Sequence, residues 1–141
     1  MLEKIPIESL KIAAMEKALF VHGEDVSAGI NIKEHFCDTT YLKQMDIKAG
    51  LMVTGKLHKT AHLSILAKGK MIINHGDGRI ETLEAPSVIK TMAYTKRLGI
   101  CLEDATYINI FNNVDNLKGK ELDDYFTVPT EEAMKQLGIS L

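Results

Sequence analysis

Two histidines four residues apart, His58 and His62, are the first candidates for chemistry in this chain. If residues 51–68 formed one continuous strand, the two side chains would point the same way but lie about 13 Å apart, at about 3.3 Å per residue. They could not then share a ligand. If residues 59–61 instead turn the chain into a neighbouring antiparallel strand, the imidazoles face one another at roughly 5 Å. The second arrangement predicts a usable site.

The elements that would position this pair are short β-strands. Apolar runs separated by turn signals such as Gly76-Asp77-Gly78 predict about eight strands, at 41–47, 51–57, 62–67, 70–75, 79–83, 87–90, 97–102 and 105–111. Short strands at near-regular spacing, without helices between them, favour an all-β antiparallel sandwich or small barrel. Within 62–67 neither face is convincingly polar, so one face is expected to line the interior. The other face would be covered by a helix or by a second subunit, and a homodimer is the favoured arrangement.

The two ends of the chain read differently from the barrel. Ile7, Leu10, Ala14, Ala18 and Val21 recur at helical spacing, which predicts a covering helix over 7–21 that is closed by a glycine at 23. Residues 22–40 read as a loop. The scheme is one domain with an N-terminal helix at 1–22, a barrel at 33–113 and a C-terminal strap at 114–141. The strap ends in a short helix predicted at 130–137.

Composition excludes several classes of function. The 141 residues are 45% hydrophobic and 26% charged, as in an ordinary soluble globular domain. A net charge of -2 gives no basic surface of the kind that nucleic-acid binding needs. No apolar run approaches a membrane span, and the N-terminus does not resemble a signal peptide. Two cysteines, Cys37 and Cys101, suggest neither a disulfide framework nor a metal site, so the cytoplasm is the expected location.

The stretch around the histidines resembles the first motif of the cupin superfamily. That motif begins with glycine and continues as His-x-His, a Glu four residues after the second His, and an apolar run that ends in glycine. Here His58 matches the second His, His62 stands at the Glu position, and Lys56 stands at the first His position. The second cupin motif, Pro-x-Gly-x-x-His, resembles residues 92–97, where Arg97 replaces the His and Tyr94 replaces the Gly.

Residues 57–69 and 95–104 are more closely similar to small cupin-like proteins of phages and prophages, and the resemblance covers residues 33–113. It implies a cupin-like jelly roll, most often paired as a dimer, and no settled activity. A phage-encoded member would act in the host cytoplasm.

The histidines admit a metal-binding interpretation. A catalytic zinc or iron site normally presents three protein ligands, so His58 and His62 would need a third. His35 and His75 are the candidates. His75 is expected at a solvated hairpin end, so His35 is the better one, if the segment around it folds over the barrel mouth. Zinc, iron, manganese or nickel would suit such a site. The alternative is that His58 and His62 hydrogen-bond polar groups inside the barrel.

The basic residues admit another interpretation. A guanidinium at Arg97, with Lys96 beside it and Lys59 beside His58, suits recognition of a carboxylate or phosphate. Tyr94 is a further candidate for the cavity wall. The competing possibility is that Arg97 pairs with Glu103 or Asp104 as a structural ion pair.

The function favoured by the sequence is non-enzymatic binding of a small anion in the barrel. His58, His62, Lys96 and Arg97 would form the polar lining, with Lys59 and His35 at the mouth. A metal-dependent cupin enzyme that uses His58 and His62 is the main alternative, and a virion or assembly scaffold is the third.

Overall fold

The computed structural model describes residues 5–22, 27–129 and 135. Within this part of the chain the structure is mostly β-strand, with one helix before the strands and one near their end. A short 3-10 turn at Ser27–Gly29 precedes the first strand. The helices and strands are α1 Ile7–His22, β1 Ile30–Cys37, β2 Thr40–Ile47, β3 Met52–Thr54, β4 Leu57–His58, β5 His62–Lys68, β6 Lys70–Asn74, β7 Ile80–Glu84, β8 Ser87–Thr91, β9 Leu98–Cys101, β10 Ala105–Asn112, α2 Gly119–Phe126 and β11 Thr127–Val128.

The strands form two main antiparallel sheets. One has the order β1-β2-β10-β5-β8, the other has the order β3-β9-β6-β7, and β4 pairs separately with β11. Neighbouring strands are distant in sequence, as in β2 beside β10, because the chain crosses repeatedly between the sheets. This is the jelly-roll architecture that the strand pattern and the cupin resemblance predicted.

The core lies between the two sheets. In β10 buried residues alternate with partly exposed ones along the strand, which is the period-2 pattern of a sheet with one covered face. Leu66, Met71 and Ile73 are almost fully buried, and they pack with Ile47 and Tyr107. Burial of each large apolar side chain stabilises the fold by about 1.5–3 kcal/mol.

Helix α1 is attached to the barrel by polar contacts over long sequence separations. The Ser9 hydroxyl donates to the Gly76 carbonyl at 2.6 Å and accepts from the Lys96 amide at 2.8 Å. The Glu16 carboxylate forms an ion pair with the Lys96 ammonium at 3.0 Å and accepts a hydrogen bond from Thr54. The predicted covering helix is therefore present. Its predicted glycine cap at position 23 lies outside the described residues.

Three local predictions differ from the structure. Residues 30–37, predicted as loop, form strand β1, in which Ile30, Ile32 and Phe36 alternate with polar residues along an edge of the sheet. The strand predicted at 51–57 is interrupted at Gly55 and divides into β3 and β4. The turn after His58 does not form a hairpin, because β4 pairs with β11 and β5 pairs with β8 and β10.

The C-terminal strap contains α2 and β11, and the helix predicted at 130–137 lies outside the described residues. No helix in the part of the chain that the structure describes is long and apolar enough to cross a membrane. Both cysteines are free thiols, with Cys37 exposed and Cys101 buried.

Candidate functional site

The main cavity of the protein lies between the two sheets and has a volume of about 260 Å³. At about 30 Å³ per water molecule, it has room for roughly nine waters or one small organic molecule. Its walls come from strands of both sheets and from the segments 55–58 and 95–97. The lining includes the apolar residues Ile30, Ile32, Met45, Ile47, Val53, Met71, Ile73 and Leu98, and the polar residues Lys43, Lys56, His58, His62, Arg97, Tyr107 and Asn109.

The strand register separates apolar from polar lining. Ile30 lies opposite Ile47, and Ile32 lies opposite Met45, so adjoining positions of β1 and β2 form an apolar wall. Two residues further along β2, Lys43 lies opposite Asn109 of β10. The cavity therefore has an apolar end and a polar end on the same sheet.

The polar end includes both histidines of the sequence prediction. The ring centroids of His58 and His62 are 4.7 Å apart, although their strands do not pair. Both rings also contact Phe111, with centroids 5.4 Å and 4.6 Å away. The His62 Nε2 lies 3.3 Å from the Asn109 Oδ1, which also accepts a hydrogen bond from the Ser64 hydroxyl at 2.6 Å. His62 is thus part of an interior polar network.

Burial keeps both imidazoles neutral at pH 7. Loss of hydration and then the charges of His62, Lys43, Lys56 and Arg97, in that order, together lower the pKa of His58 to about 3. Burial and then Arg97 lower the pKa of His62 to about 4, against smaller raising effects of Asn109 and the Thr60 backbone. The charged side chains that shift these two pKa values are cations, so the main cavity favours negative charge in a ligand.

Arg97 lines the cavity, but most of its N–H donors already contact other residues of the protein. Its Nη1 donates to the Tyr107 hydroxyl, and its Nη2 lies 3.3 Å from the His75 Nδ1 and 3.3 Å from the Lys90 carbonyl oxygen. A guanidinium has five N–H donors, and these contacts occupy three of them, including both on Nη2. Arg97 therefore cannot use its Nη2 edge for a two-pronged grip on a carboxylate.

The alternative pairing of Arg97 with Glu103 or Asp104 is not what the structure shows. Asp104 instead accepts a hydrogen bond from the Ala49 amide at 2.9 Å and lies 4.0 Å from the Lys48 ammonium. The partners of Arg97 come from β10 and β8 of the other sheet and from the turn after β6, and not from the turn after β9.

Lys43 is a cavity residue that the sequence interpretation missed. It lies on the inner face of β2, in line with Tyr41, Met45 and Ile47, of which Tyr41 and Ile47 are buried. Its ammonium makes no hydrogen bond or ion pair with another residue in the described part of the chain. Alternation within 41–47 was the signal that could have found it, because a lysine stands in an otherwise apolar and aromatic face.

The surroundings of Lys43 disfavour its protonated form. Burial lowers the pKa of Lys43 and the charge of Lys56 lowers it further, while Asp123 and Glu34 act in the opposite direction. Lys56 itself is half-exposed and lies 3.3 Å from the Asp123 carboxylate. Lys43, Lys56 and His58 all line both the main cavity and a small cavity of about 20 Å³ beside it.

Two of the residues predicted at the mouth point elsewhere. His35 is exposed on β1, where its Nε2 lies 3.3 Å from the Gln44 Oε1, and it does not line the cavity. The Lys59 ammonium donates to the Asp124 carbonyl of α2 at 2.8 Å. Lys59 thus attaches the C-terminal helix to the barrel.

Two further predicted lining residues have structural contacts. Lys96 is buried, and its ammonium donates to the Gly55 carbonyl at 2.7 Å in addition to the Glu16 ion pair. Tyr94 packs against the buried cluster of Ile5 and Leu57 and does not line the cavity. Its φ of 60° is one that glycine adopts readily, in keeping with the glycine of the second cupin motif at this position.

The donor set does not fit the resident metal that the cupin resemblance implies. His58 and His62 supply two imidazoles, but Lys56 and Arg97 stand at the other two motif positions that carry metal ligands in cupins. No group of three His, Cys, Asp or Glu residues within the described ranges is arranged to hold a metal ion. Cations at two ligand positions would repel a divalent ion and supply no lone pairs to it.

Comparison with solved structures supports the fold. The chain is similar to KdgF from Halomonas sp., with a TM-score of 0.55 and 14% identity over 70% of this chain and 90% of that one. An RmlC-like cupin from Shewanella frigidimarina gives a TM-score of 0.53 and 17% identity over 66% and 84%. Salicylate 1,2-dioxygenase from Pseudoaminobacter salicylatoxidans gives 0.57 and 12% over 82% and 35%.

No protein-family model matches the chain, and no curated protein matches its sequence. The likeness to cupin structures therefore establishes a cupin jelly roll and leaves the function to be argued from the site.

Proposed function

We propose that this protein binds a small organic anion in the cavity between its two sheets and does so without catalysing its conversion. The observation that carries the proposal is the charge of the lining. Lys43, Lys56 and Arg97 reach the cavity, while no acidic side chain of the described residues lines it. An anion would balance positive charge that the protein compensates only in part, because Lys56 pairs with Asp123 whereas Lys43 has no ion pair among the described residues.

The shape of the lining suggests an anion with an apolar body. The headgroup would lie at the Lys43 and Lys56 end, where Asn109 and the neutral His58 can also hydrogen-bond to it. The body would contact the wall formed by Ile32 and Met45. Relative to the sequence prediction, Lys43 and Lys56 take the role first given to Lys59 and Lys96, and Arg97 contributes charge without a two-pronged contact.

The neighbouring structures include proteins named as enzymes, among them the salicylate dioxygenase. One fold supports many activities, so this likeness alone does not assign one. The donor set weighs against the metal-dependent alternative for this chain. The scaffold alternative, the homodimer, the phage or prophage origin and the cytoplasmic location stay predictions. The molar mass of the protein in solution tests the homodimer.

The proposal is tested by calorimetric titration with benzoate and with benzamide. The two molecules share an apolar ring and differ in the charge of the headgroup. We expect benzoate to bind at least tenfold more tightly, because a hydrogen bond to a charged group is worth about 1.5–3 kcal/mol. Equal affinities, or binding of benzamide alone, would contradict an anion site.

Elemental analysis of untagged protein tests the metal-dependent alternative. We expect well under one equivalent of zinc, iron, manganese or nickel per subunit, and we expect dialysis against EDTA to leave benzoate binding unchanged. A metal retained near one per subunit in the wild type, and lost in His58→Ala, would favour the enzyme instead.

A further inference from the structure

Lys43 has the surroundings of a reactive amine. Its side chain lines a cavity that Ile32 and Met45 also line. Glu34 lies directly opposite Lys43 on β1, but Glu34 is exposed and its carboxylate accepts a hydrogen bond from the Tyr41 hydroxyl. Most lysines of a protein keep the ammonium in water or in an ion pair. At Lys43 there is no such pair among the described residues, and the adjacent Lys56 further disfavours a second positive charge.

These conditions resemble those under which lysine acts as a nucleophile. Desolvation and a neighbouring cation raise the fraction of neutral amine, and a neutral amine attacks carbonyl carbon. The direction of the pKa of Lys43 agrees with this, since burial and Lys56 both lower it.

We propose that Lys43 captures anions bearing a ketone or aldehyde group as a reversible Schiff base, and that the ligand class is a 2-oxo acid with an apolar side chain. The inference rests on the proposed function, because the carboxylate must first be held in the cavity. It adds a covalent bond between the Lys43 Nζ and the carbonyl carbon.

The reaction balances without an oxidant or reductant. The lone pair of the neutral Nζ forms a C–N bond to the carbonyl carbon, and the carbonyl π electrons move to oxygen. The two Nζ protons leave with that oxygen as water, and a C=N double bond remains. Addition of water reverses the sequence and releases the ligand.

The residues around Lys43 would hold the other parts of the ligand. Lys56 and Arg97 face the carboxylate, while Ile32 and Met45 contact the apolar side chain. His58 lines the same two cavities as Lys43 and is neutral at pH 7. A pKa of about 3 makes this imidazole a weak base, so its role would be to donate an N–H hydrogen bond to the carbonyl oxygen, while water carries the protons.

The test is reductive trapping of the whole protein at pH 7 with phenylpyruvate and sodium cyanoborohydride, followed by peptide mapping. Phenyllactate, which carries a hydroxyl in place of the carbonyl, is the matched probe that cannot form an imine. We expect one phenylpyruvate adduct per chain, located at Lys43, and none with phenyllactate. Label distributed over exposed lysines such as Lys90, with none preferred at Lys43, would overturn the inference.

Two variants sharpen the result. Lys43→Arg keeps the positive charge but removes the nucleophilic amine, so trapping at this site should be lost. Lys90→Arg makes the same change on an exposed side chain of β8 and should trap as the wild type does. Trapping undiminished in Lys43→Arg would contradict the assignment. The wild-type peptide map decides the matter even if Lys43→Arg folds poorly.

Calorimetry with phenyllactate separates the two proposals. Binding of phenyllactate without any adduct from phenylpyruvate would overturn the Schiff base and leave anion binding standing. Failure of both molecules to bind, with no adduct, would overturn both. An adduct at Lys43 that depends on the carboxylate, and is absent with phenylacetaldehyde, would support both.

Discussion

Lys43 and Arg97 are both basic residues of one cavity, but the protein treats them differently. Arg97 uses three of its N–H donors in contacts with Tyr107, His75 and Lys90, which lie in three separate segments of the chain. Lys43 lies on the inner face of β2 with no hydrogen-bonding partner among the described residues. The guanidinium of Arg97 therefore binds the protein around it, while the ammonium of Lys43 is available to a ligand.

The difference shows that positive charge at a cavity does not by itself locate a binding group. A buried cation with satisfied donors stabilises the structure around it, and its removal leaves unpaired acceptors. A buried cation without partners costs free energy in the empty protein, and a ligand can recover that cost. The experiments below separate the two roles.

The largest effect is expected from Arg97→Met. Loss of the guanidinium leaves the Tyr107 hydroxyl, the His75 Nδ1 and the Lys90 carbonyl without their donor, at about 1–3 kcal/mol for each group left unsatisfied. The Lys90 carbonyl is at an exposed site and can bond to water, so the other two groups predict a fall of about 2–6 kcal/mol in the free energy of unfolding in urea. Arg79→Met is the matched control, because Arg79 is half-exposed and Asp77 is its one ion-pair partner within the described ranges. Such a surface pair is worth about 0–1 kcal/mol. Equal losses of unfolding free energy in both variants would contradict a structural role for Arg97.

Most of the fold could be predicted from the sequence, because strands leave a local pattern of alternating residues and turns. Alternation and turn residues located β2 and β5 to β10 within a few residues, and the spacing of Ile7 and Leu10 located α1. Strand β1 was missed because it is an edge strand, exposed beyond Ile30, so its composition resembles that of a loop.

The site was less predictable than the fold. The closeness of His58 and His62 was anticipated, but through a hairpin that does not form. Lys59 and Lys96 have their partners on α2 and α1, more than 60 residues away in sequence, so no local pattern shows that they are already engaged. Lys43 was visible in the alternation of β2, yet a lysine in a strand is usually assigned to the solvent face.

An intermediate effect is expected when pH is lowered, because the histidines beside Lys43 are held neutral. The folded-state pKa values of His58 and His62, about 3 and about 4, lie below the ordinary value of 6.5. Between pH 6 and 4.5 the unfolded chain binds protons that the folded protein excludes, so the free energy of unfolding falls with pH. The slope is about 1.4 kcal/mol per pH unit for each histidine.

Substitution identifies the source of this pH dependence. His75 also has a pKa lowered by burial and contributes in the same window, whereas carboxylates such as Asp46 have lowered pKa values and act at lower pH. His58→Gln should therefore reduce the slope by about 1.4 kcal/mol per pH unit without removing it. A slope that is the same in His58→Gln and the wild type would show that folding does not lower the pKa of His58.

The smallest effect on stability is expected from Lys43→Met, and it is the most informative about function. Methionine retains the length of the side chain and removes an ammonium that burial and Lys56 disfavour. We expect the free energy of unfolding to be unchanged, or higher by about 1 kcal/mol, because no protein hydrogen bond is lost and a buried charge is removed. Benzoate affinity should nevertheless fall at least tenfold, since the headgroup loses its charged donor. Lys90→Met, on the outer face, should change neither quantity. If Lys43→Met lost as much stability as Arg97→Met, Lys43 would also be a structural cation. The distinction between Lys43 and Arg97 would then fail.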